Sequence, residues 1–352
     1  MFTLIRPVVI LGTLFSVIAI SSLVSIKEGD AAASGVPQTY LVKLPGGEAG
    51  IGFDDLQYAP KLKQILVPGG RTGRLFLISP PSRKVTIIDG FSSKRSYAGG
   101  HGDGTTSACE GGDLVYATDR GSRSLKIVDP SAGKIIRSVT LSSSPDYVRY
   151  VAETHELWVT EPGKEQIEIL ALGSDGRSLK LAGTLAVPGG PESLVIDAQR
   201  MRAYTHTWKD TTYEMDVKRR AIARTWSNGC RGARGIALDE KRGLLFAGCE
   251  EGKAVVMDVK TGKALASLPA GSDVDSIGYA SALGHLYVPG GGSADLSILD
   301  ASAAQLVLLG TVKTGPDAHT AAYDPVGGAI YIGLPEHGQV LVVQDSYPPT
   351  LR

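Results

Sequence analysis

One sequence unit recurs seven times along this chain, so the fold must give seven copies equivalent places. The clearest copy reads DLVYATD from Asp113 to Asp119, then LKIVD from Leu125 to Asp129, then the turn Pro130–Lys134 and the run Ile135–Val139. The order returns at Gly243–Gly248, Val255–Asp258 and Thr261–Lys263, and again at His285–Val288 and Leu296–Asp300. Each unit is a set of short apolar-alternating runs separated by turn residues, the pattern of antiparallel strands in a meander. Aligning on the second run gives Leu66, Tyr116, Trp158, Tyr204, Phe246, Tyr287 and Tyr331, at intervals of 41–50 residues. That period, with four strands per unit, belongs to propeller blades rather than helical solenoids.

The expected fold is therefore all-β, a seven-bladed β-propeller of four-stranded antiparallel blades. The last unit runs out after its third strand, Val340–Val343, and the segment Thr39–Leu44 is expected to supply the missing fourth. Such closure removes the open edges that an unclosed ring would carry. Forty-four glycines suit the tight turns between strands.

Ahead of the repeats, Arg6 precedes an apolar run from Pro7 to Ile26, followed by Lys27–Asp30 and Ala31–Ala33. This is the order of a secretory signal. The run is also long enough to span a bilayer, so residues 1–33 read as a signal peptide or an N-terminal membrane anchor. Residues 34–352 read as one propeller domain, placed in the periplasm, at the cell surface or outside the cell. Thirty-six basic and 36 acidic residues cancel, which argues against a general grip on nucleic acid or on anionic lipid. Membrane contact is expected only through the N-terminal segment, and the chain is expected to be a monomer.

The strings Val115–Asp119 (VYATD), Ile127–Asp129 (IVD) and Leu157–Thr160 (LWVT) resemble the YVTN-type propeller repeat family of surface-layer-like and periplasmic proteins. The resemblance extends over about 300 residues through the repeat logic. No unit keeps the full Tyr-Val-Thr-Asn string. The resemblance implies the fold and leaves the activity open, because propellers carry many unrelated functions.

Several conspicuous residues read as structural. Asp89, Asp129, Asp216, Asp258, Asp300 and Asp345 are placed at the ends of third strands, where a carboxylate accepts hydrogen bonds from turn amides. Pro289–Ser293 lacks the Gly-Lys-Ser/Thr ending of a phosphate loop, and no His-Glu-x-x-His or nucleophile-elbow motif occurs. Of three cysteines, Cys230 and Cys249 flank a hairpin of the fifth blade and are expected to form a disulfide. Cys109 reads as a small buried hydrophobe.

Function is expected on the face where each blade enters its first strand. Projected there, the repeat gives Asp54, Gly104 with Asp103 beside it, Asp146, Glu192, Arg234, Asp275 and His319. Carboxylates gathered on one axis repel unless a cation or bound water relieves them; the alternative is that they fan outward and cap turns. His101, His206, His319 and His337 fall on the same face, and His101, His319 and His337 are candidate ligands for a divalent cation. Asp119, Arg120, Glu161, Trp208, Lys209, Glu250 and Glu251 lie in the loops between second and third strands of that face. An exposed Trp208 would mark a contact surface.

Two classes of function stay open. One is a binding module holding a small ligand, a glycan or a protein. The other is an enzyme: a lyase or hydrolase using His and carboxylate, with or without a metal, or a quinone-type dehydrogenase, for which no cofactor signature is present.

Overall fold

The computed structural model describes residues 37–80 and 82–351, so the segment read as a signal or anchor lies outside the described residues. Seven four-stranded antiparallel sheets form, each a meander. Blade 1 covers Gln57–Asp89, blade 2 Ala108–Thr140, blade 3 Val148–Ala186, blade 4 Val195–Trp226, blade 5 Ala233–Pro269 and blade 6 Gly278–Lys313. Blade 7 combines Ala321–Gln344 with the strand Thr39–Lys43 from the start of the domain.

That N-terminal strand pairs antiparallel with Gln339–Gln344, with Leu41 opposite Leu341 and Val42 opposite Val340. The N-terminal segment thus supplies the fourth strand of the last blade, as expected. Neighbouring innermost strands touch all the way round, including the Gln57–Ala59 strand of blade 1 against Ala321–Asp324 of blade 7.

Second strands are packed by a blade on each face, which is why they read as continuous apolar runs. All six residues of Leu114–Asp119, Glu156–Glu161, Leu244–Cys249, His285–Gly290 and Ala329–Leu334 are buried. Outer strands such as Lys134–Thr140 face solvent and mix exposed with half-buried residues. The core is thus a set of wedges between blades rather than one centre. Tyr116 of blade 2 packs with Val148 and Leu157 of blade 3, and Phe246 of blade 5 packs with Leu286 and Val288 of blade 6. At the closure, Val42, Leu44, Tyr331 and Val340 pack on Phe53, Ile65 and Phe76.

Polar pins join blades on the opposite face. Asp345 accepts from Tyr287 Oη at 2.6 Å and lies 2.7 Å from His285 Nδ1, and Asp239 accepts from Tyr279 Oη at 2.6 Å. Asp129, Asp216, Asp258, Asp300 and Asp345 do accept turn amides at the ends of third strands. Asp89 does not share that place. It ends the fourth strand of blade 1, Lys84–Asp89, and pairs with Arg74 at 2.9 Å. Third strands end 12–14 residues after the aligned second-strand residue, at Ser79 in blade 1, so Asp89 falls one strand further on.

Cys230 and Cys249 are joined, with Cα atoms 5.5 Å apart. Cys109 is a buried free thiol, and burial pushes its pKa up to about 12, which leaves it unreactive.

Removing residues through Leu44 strips two apolar side chains from the closing wedge and bares the Gln339–Gln344 edge. Burial of Val42 and Leu44 alone contributes about 3–6 kcal/mol. The truncated chain should melt well below the intact one in calorimetry and tend to aggregate; an unchanged melting temperature would contradict the closure.

Candidate functional site

The residue entering each innermost strand is fixed by its own backbone before its side chain does anything. The Asp146 N–H bonds the Thr160 carbonyl at 2.9 Å, the Glu192 N–H bonds His206 O at 2.9 Å, and the Asp275 N–H bonds His319 O at 3.0 Å. These bonds tie each entry residue to the second strand of its blade or to the neighbouring blade. The side chains are consequently brought together at the channel mouth, and Asp54, Asp146, Glu192 and Asp275 are all buried.

Two linked groups result. In the first, His101 Nδ1 lies 2.9 Å from Asp54 Oδ2, its Nε2 lies 3.8 Å from Asp275 Oδ2, and His319 Nε2 lies 4.0 Å from the same oxygen. The two imidazole centroids are 5.6 Å apart. In the second, a cavity of about 340 Å³ is lined by His101, Arg120, Asp146, Glu192, Trp208 and Arg234, with Pro145 and Pro162 in its wall. Arg120 links the groups, 3.3 Å from Asp54 and in direct contact with Asp146. Trp208 is 56% exposed; its Nε1 donates to Glu192, and the Arg234 guanidinium lies 4.5 Å from its ring centroid. Arg234 also pairs with Glu250 at 3.3 Å.

His101 belongs to a loop, and its position depends on a glycine elsewhere. A Cβ at Gly52 would collide with the Gly100 carbonyl and crowd the His101 Cα, so only the bare backbone lets this loop settle over blade 1. Asp103 does not join the mouth. The entry position of blade 2 is Gly104, held at φ 65° against Gly70, and Asp103 turns away to pair with Lys94 at 2.5 Å. His337 is exposed on the turn Pro335–His337 and does not join the cluster of His101, Asp275 and His319. His206 is buried against Thr212 Oγ1 at 2.9 Å, and burial lowers its pKa to about 4, leaving it neutral. Asp119 and Glu161 serve structure, accepting from Ser92 and from Ser142 and Ser143. The repeat register missed Arg120 and Trp208 as members of the mouth, because they come from loops between second and third strands. Their position on this face was the available signal.

Charge at the mouth is shared unevenly. Burial opposes a charge on His101, but Asp54 and Asp275 outweigh it and raise its pKa to about 10. Asp54 is held below the usual carboxylate value: burial pushes it up, and His101 and Arg120 more than offset that. Asp275 and Asp146 are raised, by burial first and then by neighbouring carboxylates, in spite of the cations beside them. Burial and the charge of Asp275 lift Glu192 to about 7. Such a spread of proton affinities in one cleft makes the mouth the candidate functional site.

No family model matches the chain, and no curated protein matches it in sequence. Solved structures do match in shape. A chain of a mitotic checkpoint complex superposes with a TM-score of 0.73 at 15% identity, over 95% of this chain and 99% of that one. A chain of hydrazine synthase from Kuenenia stuttgartiensis gives 0.69 at 14% identity over 89% and 99%, and U3-55K gives 0.71 at 13% over 88% and 100%. The protein is a seven-bladed β-propeller, similar in fold to these chains.

Glu192 gives the site a pH signature. Its folded-state pKa is raised, so the proton stabilises the fold at low pH, and this contribution is lost as pH rises through about 7. The lift corresponds to about 3 kcal/mol. Indole fluorescence should titrate near neutrality because Trp208 donates to this carboxylate, and Glu192→Gln should abolish that step and flatten the fall in melting temperature between about pH 4.5 and 7. An unchanged titration in Glu192→Gln would refute the assignment.

Proposed function

We propose that the protein is an extracytoplasmic binding propeller of the YVTN type that holds a small polyhydroxylated ligand, a saccharide unit of a glycan, in the mouth cavity. The carrying observation is the exposed Trp208 ring in a pocket also lined by the buried carboxyls of Asp146 and Glu192 and the half-buried Arg120 and Arg234. An exposed indole offers an apolar face to the C–H face of a sugar ring. Most of the polar groups behind it already have partners: Arg120 pairs with Asp54 and Asp146, Arg234 with Glu250, and Glu192 accepts from Trp208. A neutral ligand with many hydroxyls uses such groups as donors and acceptors without leaving a charge unpaired.

Support for export comes from Arg6, the apolar run Pro7–Ile26 and Ala31–Ala33, which make residues 1–33 a signal peptide or anchor ahead of the propeller. The Cys230–Cys249 bond adds weight, since disulfides persist in oxidising compartments. A second reading, a His/carboxylate hydrolase or lyase on the same ligand, draws on one observation: the Glu192 carboxyl titrates near neutrality beside the cavity.

The test is a panel of neutral mono- and oligosaccharides, with charged sugars alongside, followed by calorimetry. A neutral saccharide should bind, and Trp208→Ala should weaken it by at least about tenfold, an aromatic-contact loss of roughly 1.4 kcal/mol. Turnover of the bound sugar that disappears in Glu192→Gln would move the assignment to the enzyme. Binding indifferent to Trp208→Ala, or no saccharide bound at all, would contradict it.

A further inference from the structure

Beside the cavity, three side chains from three blades aim at one point. His101 reaches it from the loop ahead of blade 2, Asp275 from blade 6 and His319 from blade 7; their donor atoms all lie within 4.8 Å of one another. Asp275 is 2% exposed, and its Oδ2 accepts no hydrogen bond among the described residues. Both Nε2 atoms face that oxygen at 3.8 and 4.0 Å, too far for hydrogen bonds. A buried carboxylate oxygen left without a partner costs free energy unless a third body satisfies it.

We propose that His101, Asp275 and His319 bind a divalent transition-metal ion, with zinc the best match. Two imidazoles and one carboxylate are a donor set of catalytic zinc and of related first-row ions, and a set that calcium, which takes oxygen ligands, does not prefer. Donors bound tetrahedrally at zinc distances stand about 3.4 Å apart. The two imidazole–carboxylate separations, 3.8 and 4.0 Å, exceed this by about half an ångström, and all three donors lie within 4.8 Å, so rotation of the side chains brings them to bonding distance. Asp54 completes the arrangement. It holds His101 Nδ1 at 2.9 Å, so the carboxylate fixes the ring and leaves Nε2 as the ligand atom. His319 Nε2 is 3.1 Å from the Phe53 carbonyl, which accepts its proton; a metal takes the place of that proton, as metal binding to imidazole requires.

His101 also lines the saccharide cavity, so the ion would stand at its edge. The inference does not rest on the saccharide reading, since metal binding is measured without any sugar. The purified full chain, stripped with a chelator, should take up one equivalent of Zn²⁺ in titration calorimetry and ignore Ca²⁺. Asp54→Asn should weaken uptake by about 10–100-fold, and Asp275→Asn and His319→Ala by more than that. His337→Ala should leave uptake unchanged. With Co²⁺, the unmodified chain should develop the intense visible bands of a four-coordinate, nitrogen-ligated ion, a readout that holds even where a variant fails to fold. Absence of stoichiometric uptake, a purely aquo-like Co²⁺ spectrum, or uptake that survives both Asp275→Asn and His319→Ala would overturn the site.

Discussion

Five residue pairs between Thr39–Lys43 and Gln339–Gln344 hold both ends of the chain in one blade, and the mouth depends on them. The segment that follows the closing strand crosses from blade 7 to blade 1. It is stitched down by Leu44 N–H to Gly338 O at 3.4 Å and Ile51 N–H to Pro335 O at 2.8 Å. Phe53 packs its ring against Gly333, where any Cβ would strike it, and its carbonyl accepts from His319. Asp54 comes next. The same stretch that seals the ring thus supplies the carboxylate that orients His101 and meets Arg120.

Closure also explains how four carboxylates can be buried together. They arrive from blades 1, 3, 4 and 6, and the cations meant for them come from blades 2 and 5: His101, Arg120 and Arg234. Burial first, and then repulsion that a rigid ring does not let relax by separation, raise the proton affinity of Asp146, Glu192 and Asp275. The stability of the mouth is therefore tied to pH.

The sequence made the architecture legible because blades obey a period, and a period needs no tertiary knowledge. All seven second-strand residues from Leu66 to Tyr331 are buried where the alignment placed them. The entry positions Asp54, Asp146, Glu192, Asp275 and His319 follow from the same register. What escaped it came from chain outside the register. Asp103 sits beside the blade 2 entry, yet the backbone at Gly104 turns it toward Lys94. Arg120 and Trp208 reach the mouth from a different loop of their blades, and His101 reaches it only because Gly52 has no side chain. Close approach of two backbones distant in sequence leaves no periodic trace. Asp89 shows a limit within the repeat itself, since an aspartate before a turn ends the fourth strand of blade 1 where Ser79 ends the third.

Closure and mouth form one cooperative structure. Native-state hydrogen exchange tests it most directly, by comparing the amides of Thr39–Lys43 and of Asp54–Asp55 with those of the buried strand Ala329–Leu334. A single cooperative unit predicts the same opening free energy for all three groups, moving together with denaturant. A closing strand that exchanges through a separate low-energy opening, while the amides of Asp54 and Asp55 stay protected, would contradict it.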